Sequence, residues 1–272
     1  MNMYNKAALA GVTTLLLCAC GAEDNQESGT GVSNAVAGST AALAFQNGNF
    51  VLLDDHRIVS YLLPEDAVAQ LNDTYSIPDA ETIFPEGEER LYIGSEFGVT
   101  ILDIDADGEF TFIGEARHVA SCDPVITDGT TMYVTLRVTN SCNRTTGRNS
   151  LNIYDIEDPA SPVQLSSLEL SNPYGLAKLT IQNQTETPSE EESQEPTSQE
   201  EQLWVCTDDG LTKVDVNDPA APEVVTSFPE ILCNDIIIHS ANDALLTGNG
   251  EVSLIDLSSG TPVIMGTIEK GD

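Results

Sequence analysis

Val99-Thr-Ile-Leu-Asp103 decides the fold, because it does not stand alone. Leu151-Asn-Ile-Tyr-Asp155, Leu211-Thr-Lys-Val-Asp215 and Val252-Ser-Leu-Ile-Asp256 repeat it, and Ile58-Val-Ser-Tyr-Leu62 is a worn fifth copy. Each is a short run rich in β-branched residues that closes on a turn, which is how a buried or half-buried strand reads. Another strand lies upstream of each: Phe50-Val-Leu-Leu53, Leu91-Tyr-Ile-Gly94, Met132-Tyr-Val-Thr135, Leu203-Trp-Val-Cys206 and Ala244-Leu-Leu-Thr247. A third follows downstream, as in Val163–Leu170, Val224–Phe228 and Val263–Ile268. No stretch sustains helical periodicity, so the class is all-β.

The copies start at 58, 99, 151, 211 and 252, at intervals of 41, 52, 60 and 41. The two long intervals hold insertions: an eleven-residue loop, Thr139–Asn149, and an acidic loop of eighteen residues, Gln184–Glu201. Without them the spacing returns to 41 and 42 residues. A unit of about 41 residues with four short strands is the size of a β-propeller blade. A blade buries its faces only against its neighbours, so the ring must close. Five units fit after Thr40, which predicts a five-bladed β-propeller of about four antiparallel strands per blade over 41–272. An open or two-sheet all-β fold is the alternative.

The N-terminus reads as an address. Lys6 precedes an apolar run, Ala7–Leu17, too short to span a bilayer but right for a secretory signal. Leu17-Cys18-Ala19-Cys20-Gly21 resembles the lipobox of bacterial lipoproteins, which implies cleavage after Ala19 and lipidation of Cys20. A diacylglycerol plus an N-acyl chain would anchor the protein stably in a lipid bilayer. Gly21 in place of Asp implies, by the same resemblance, the outer membrane. The expected organisation is a signal peptide over 1–19, a lipidated tether over 20–40 and the propeller, interrupted by a disordered acidic insertion over about 184–202.

The chain carries 44 acidic and 10 basic residues, a formal net charge of −34. Losing Lys6 with the signal makes it −35. Such a surface excludes nucleic acid as a partner and disfavours adhesion to anionic lipid. Arg117, His118, Arg137, Arg144 and Arg148 nevertheless lie close together in sequence. Arg117, Arg137 and His118 are therefore candidates for holding an anion, with pairing to nearby carboxylates as the blander expectation. Four cysteines follow the signal: Cys122, Cys142, Cys206 and Cys233. Export implies an oxidising compartment and hence disulfides. Of three connectivities, proximity favours Cys122–Cys142 with Cys206–Cys233.

The repeated strand ending in Asp resembles the LVIVD repeat. Glu81-Thr-Ile-Phe-Pro85, Leu91-Tyr-Ile-Gly-Ser95, Cys122-Asp-Pro-Val125, Tyr133-Val-Thr-Leu-Arg137, Asn172-Pro-Tyr-Gly-Leu176 and Leu203-Trp-Val-Cys206 extend the likeness to LVIVD-repeat lipoproteins of bacterial envelopes. The family often has His where Tyr174 stands, and an aromatic where the last blade has Leu232-Cys-Asn-Asp235. The resemblance implies a propeller at the cell envelope and no particular activity.

Asp103-Ile-Asp105-Ala-Asp107-Gly108 looks like the start of a calcium loop, but its twelfth position is Gly114, so a strand end and turn is expected. A better metal candidate is Glu81, Asp123 and Asp235, lying nine or ten residues ahead of Leu91, Met132 and Ala244. On innermost strands they would face the channel mouth and suit a calcium ion. No cofactor is required by any motif, and neither a nucleophile elbow nor a HExxH zinc motif occurs. The function expected is a non-catalytic binding or scaffold module for an envelope protein or glycan. The alternative is a metal-assisted hydrolase or lyase using the channel carboxylates.

Overall fold

A computed structural model describes residues 38–54, 56–63, 68–118, 124–138, 148–182, 199–240 and 242–269. They form five four-stranded antiparallel sheets arranged as a β-propeller. Blade 1 is β1 (Leu43–Gln46), β2 (Asn49–Asp54), β3 (Arg57–Leu62) and β4 (Gln70–Ser76). Blade 2 is β5 (Ala80–Glu86), β6 (Arg90–Ser95), β7 (Gly98–Ile104) and β8 (Phe110–Arg117). Blade 3 is β9 (Val125–Thr127), β10 (Thr131–Leu136), β11 (Ser150–Asp155) and β12 (Val163–Glu169). Blade 4 is β13 (Leu176–Gln182), β14 (Gln199–Thr207), β15 (Gly210–Asp215) and β16 (Glu223–Phe228). Blade 5 is β17 (Asp235–Ile238), β18 (Asp243–Gly248), β19 (Glu251–Asp256) and β20 (Val263–Glu269). The repeated motif is the third strand of every blade. The first strand of each lines the channel.

Local chemistry sets these boundaries. Asn47-Gly48 and Asn249-Gly250 have positive φ at both residues, the two-residue hairpin turn whose twist matches the strands it joins. The repeat's terminal acid makes the next turn. Asp155, Asp215 and Asp256 each accept the backbone N–H two residues on, from Glu157, Asn217 and Ser258. Asp103 departs from this, taking a two-pronged hydrogen bond from Arg90 instead (2.5 and 3.1 Å). Asp105 then closes the following turn by accepting from Glu109 N–H. That stretch is a strand end and turn, as expected. Gln199 to Gln202, expected within the acidic insertion, belong to strand β14.

Three apolar clusters hold the blades. One joins blades 1 and 2, one runs through blades 2, 3 and 4, and one joins blades 4 and 5. Tyr92, Tyr133 and Trp204 fill the same position in blades 2, 3 and 4 and are fully buried. Cys206 and Cys233 are disulfide-bonded, tying β14 to the loop leading into blade 5. Cys122 and Cys142 lie outside the described residues.

Ring closure differs from the expectation. No apolar cluster among the described residues spans blades 5 and 1. The two sheets are joined instead by a polar clasp. Ser39 Oγ donates to Asp235 Oδ1 (2.8 Å) and Thr40 Oγ1 to Asp235 Oδ2 (2.6 Å). Residues expected to end the tether are thus part of the domain.

Candidate functional site

The ends of the ring can be named by the chain's path. Each inner strand is reached from the previous blade at the top and turns back at the bottom. The channel between the inner strands is narrow. A cavity of about 40 Å³ is lined mainly by apolar side chains, among them Phe84, Ile126, Leu176 and Ile236. That volume holds a few water molecules rather than an organic ligand.

At the bottom, polar side chains cross from blade to blade. Gln46 Nε2 donates to the carbonyls of Glu86 and Arg90 (3.1 and 3.2 Å). Glu86 accepts from Thr127 of blade 3 and from Tyr92 of its own blade. Asp128 accepts from Lys178 of blade 4 and from Tyr133. Lys178 also pairs with Glu201 at 2.8 Å. Burial disfavours the charge of Lys178, but Tyr133 and the two carboxylates outweigh it and raise its pKa, so it is a fixed ammonium and not a nucleophile. Burial together with the nearby Asp128 pushes Tyr133 up to about 12. This network was not foreseen. The signal for it was a lysine inside the apolar strand Leu176-Ala-Lys-Leu-Thr180.

The proposed calcium carboxylates do not occupy equivalent places. Ile236 pairs with Leu246, Ile83 with Ile93 and Val125 with Val134. The residues before them, Asp235, Thr82 and Pro124, are therefore the true counterparts. Glu81 sits in a register shift of β5 and is exposed. Asp123 lies outside the described residues. Asp235 is buried and committed to Ser39, Thr40 and the N–H of Ile236. Burial raises its pKa, partly offset by those hydrogen bonds. Gly175 packs so closely on Asp235 that a Cβ there would overlap the carboxylate. Among the described residues no three His, Cys, Asp or Glu gather as a metal site would require.

The top face holds the other candidates. Arg117 is exposed and pairs with Glu115 at 2.7 Å, the blander outcome. His118 follows it, its N–H donating to the carbonyl of Phe97. Arg144 lies outside the described residues. Arg137 is different. Its guanidinium lies 4.2 Å from the centre of the Tyr174 ring, a cation–π stack. Its Nε is buried without a hydrogen-bond partner, and no carboxylate pairs with it among the described residues. Tyr174 is itself held in place. Asn172 Nδ2 donates to its hydroxyl (3.0 Å) and Thr135 Oγ1 to its carbonyl (2.7 Å). Phe97 and Leu232, 48% and 56% exposed, project from loops at the same end of the ring.

The sequence matches no known protein family and no curated protein. Solved structures resemble the fold, two of them as follows. One is a functionally unknown protein from Desulfotomaculum acetoxidans DSM 771, 17% identical, with a TM-score of 0.56 over 83% of this chain and 70% of that one. The other is a protein from Lactobacillus plantarum, 11% identical, with a TM-score of 0.54 over 81% of this chain and 67% of that one. At such identities the likeness is one of fold, and the fold is a β-propeller.

Proposed function

We propose that this chain is an exported lipoprotein of the LVIVD-repeat type, anchored through Cys20, probing the cell envelope with the top face of a non-catalytic propeller. The outer membrane is the compartment that Gly21 favours. The partner is an envelope protein or glycan. The observation behind this is the Arg137–Tyr174 stack. In a chain with 44 carboxylates, a half-buried guanidinium with no acidic partner among the described residues keeps donors available for an incoming acceptor. Phe97 and Leu232, exposed at the same end of the ring, offer the apolar contact that such recognition uses. The narrow channel also favours recognition on a face over chemistry in a pocket.

Crosslinking in intact cells followed by purification tests both halves. The wild-type protein is expected in the membrane fraction, joined to a partner, and Cys20→Ser to leave that fraction. Arg137→Ala with Tyr174→Ala is expected to stay anchored but lose the partner. An unchanged crosslinking pattern in that double variant would discard the top face, and a Cys20→Ser variant that stays membrane-bound would discard the anchor.

A further inference from the structure

Blades present two faces, one to the blade before and one to the blade after. The face of blade 1 turned toward blade 5 is open. Leu43 and Leu63 are 50% and 48% exposed, whereas their counterparts in blade 2, Ile83 and Ile104, are fully buried. Phe45 is 58% exposed where blade 2 has the buried Pro85. The opposite wall behaves alike. Val252 of blade 5 is 36% exposed and Leu245 and Leu254 are half-buried, while the matching Val99, Tyr92 and Ile101 are buried. Both walls of one seam are thus apolar and incompletely covered, held together at the top by the Asp235 clasp.

We propose that this seam is a docking slot for a β-segment of a second, cationic protein, apolar on both of its faces. The molecule itself shows what covers such walls: at the other four junctions, each is covered by a sheet face. The segment that fits must present apolar side chains to both sides at once, which an alternating strand pair from a solvated surface does not do. Charge selects its flanks. Asp243 and Asp256 share the blade 5 wall with Leu245 and Leu254, and the whole chain carries −34. A second copy would meet that charge with its own. The stretch preceding Gly38, GAEDNQESGTGVSNAVA, has three acids, no base and few apolar residues, so it does not complement the slot either. This proposal is separate from the top face, and either can fail alone.

The test places a photoreactive amino acid at Phe45 on one wall, at Leu245 on the other, and at Val225, exposed on the outer strand of blade 4, as a control. Irradiation of intact cells and peptide mapping follow. Both wall probes are expected to join one and the same segment of another protein, flanked by Lys or Arg, and Val225 is expected not to. A synthetic peptide copying that segment should bind the purified domain and lose at least tenfold in affinity to Phe45→Asp or Leu245→Asp. Arg137→Ala should leave that affinity unchanged. Adducts between the two walls, to residues 1–37, to a second copy or to lipid would each overturn the proposal, as would no adduct at all. Circular dichroism of each variant guards against an unfolded protein.

Discussion

Asp235 shows how far a single side chain can depart from its sequence reading. An acid ahead of an inner strand looks like a cation ligand, and counting residues back from Ala244 aligns it with Asp123. The count misleads because the inner hairpin of blade 3 is one residue shorter: Thr127 pairs with Met132, whereas Pro85 pairs with Leu91 and Ile238 with Ala244. Register depends on the turn, and no periodicity reveals it in advance. The repeat's terminal Asp is the opposite case. Its part as a turn former was legible in Asp155, Asp215 and Asp256, because an Asp at a strand end readily accepts the backbone N–H two residues on. The raised pKa of Asp235 has a consequence with a definite sign. A carboxyl whose pKa is higher folded than unfolded favours the protonated folded state. Its contribution is fully present below the ordinary carboxyl value of 3.8 and is lost as pH rises through the folded value. Asp235→Asn keeps the shape and abolishes the titration. Urea unfolding at successive pH values should therefore show wild type gaining stability relative to the variant as pH falls from 7 toward 4. A constant difference would mean that Asp235 titrates normally.

At the scale of the element, the repeat was readable because strand three of each blade keeps its apolar pattern and its spacing, so five blades of four strands could be counted. What joins the blades was less so. Cys206–Cys233 followed from proximity, but the Lys178, Asp128 and Glu201 network did not, since residues fifty apart in sequence meet only when two blades stand side by side. Blade 5 packs on blade 4 and meets blade 1 through a polar clasp, so it depends on one apolar junction where blades 2, 3 and 4 have two. The disulfide reinforces that junction. It closes a loop with a sequence separation of 27, for which chain entropy gives about 3.5 kcal/mol. Replacing both cysteines, Cys206→Ala with Cys233→Ala, should lower stability by about that amount. The loss should be uneven. Amides of β17 to β20 are expected to exchange hydrogen ahead of those in β5 to β16, read by mass spectrometry of peptic fragments. Uniform acceleration through all five blades would mean that the ring opens as one unit.

The whole molecule is governed by charge as much as by packing. Ten basic residues can offset at most ten of the 44 acidic charges, so most of the negative charge has no positive partner within the chain. Among the described residues Arg57 pairs with Asp54, Arg90 with Asp103 and Arg117 with Glu115, each within one blade, while Lys178 pairs with Glu201 of its own blade and Asp128 of the adjacent blade 3. Three of the four are at least partly exposed or lie within one blade, where each contributes little. Repulsion acts over the Debye length, about 30 Å at 0.01 M salt and about 4–5 Å at 0.5 M. At low salt it therefore spans neighbouring blades, and it strains the one junction that lacks a shared apolar core. Raising sodium chloride from 10 to 500 mM should stabilise the fold by about 2 kcal/mol, an increase of about 5 °C in melting temperature for a domain of this size. Scanning calorimetry measures it. The gain should vanish near the isoelectric point of about 4.1, where no net charge remains to be screened. A melting temperature that falls with salt at neutral pH would mean that the few ion pairs, and not the many unpaired acids, dominate. One that rises equally at pH 4 and pH 7 would mean that salt acts on the apolar surfaces, the open seam among them, and not on charge.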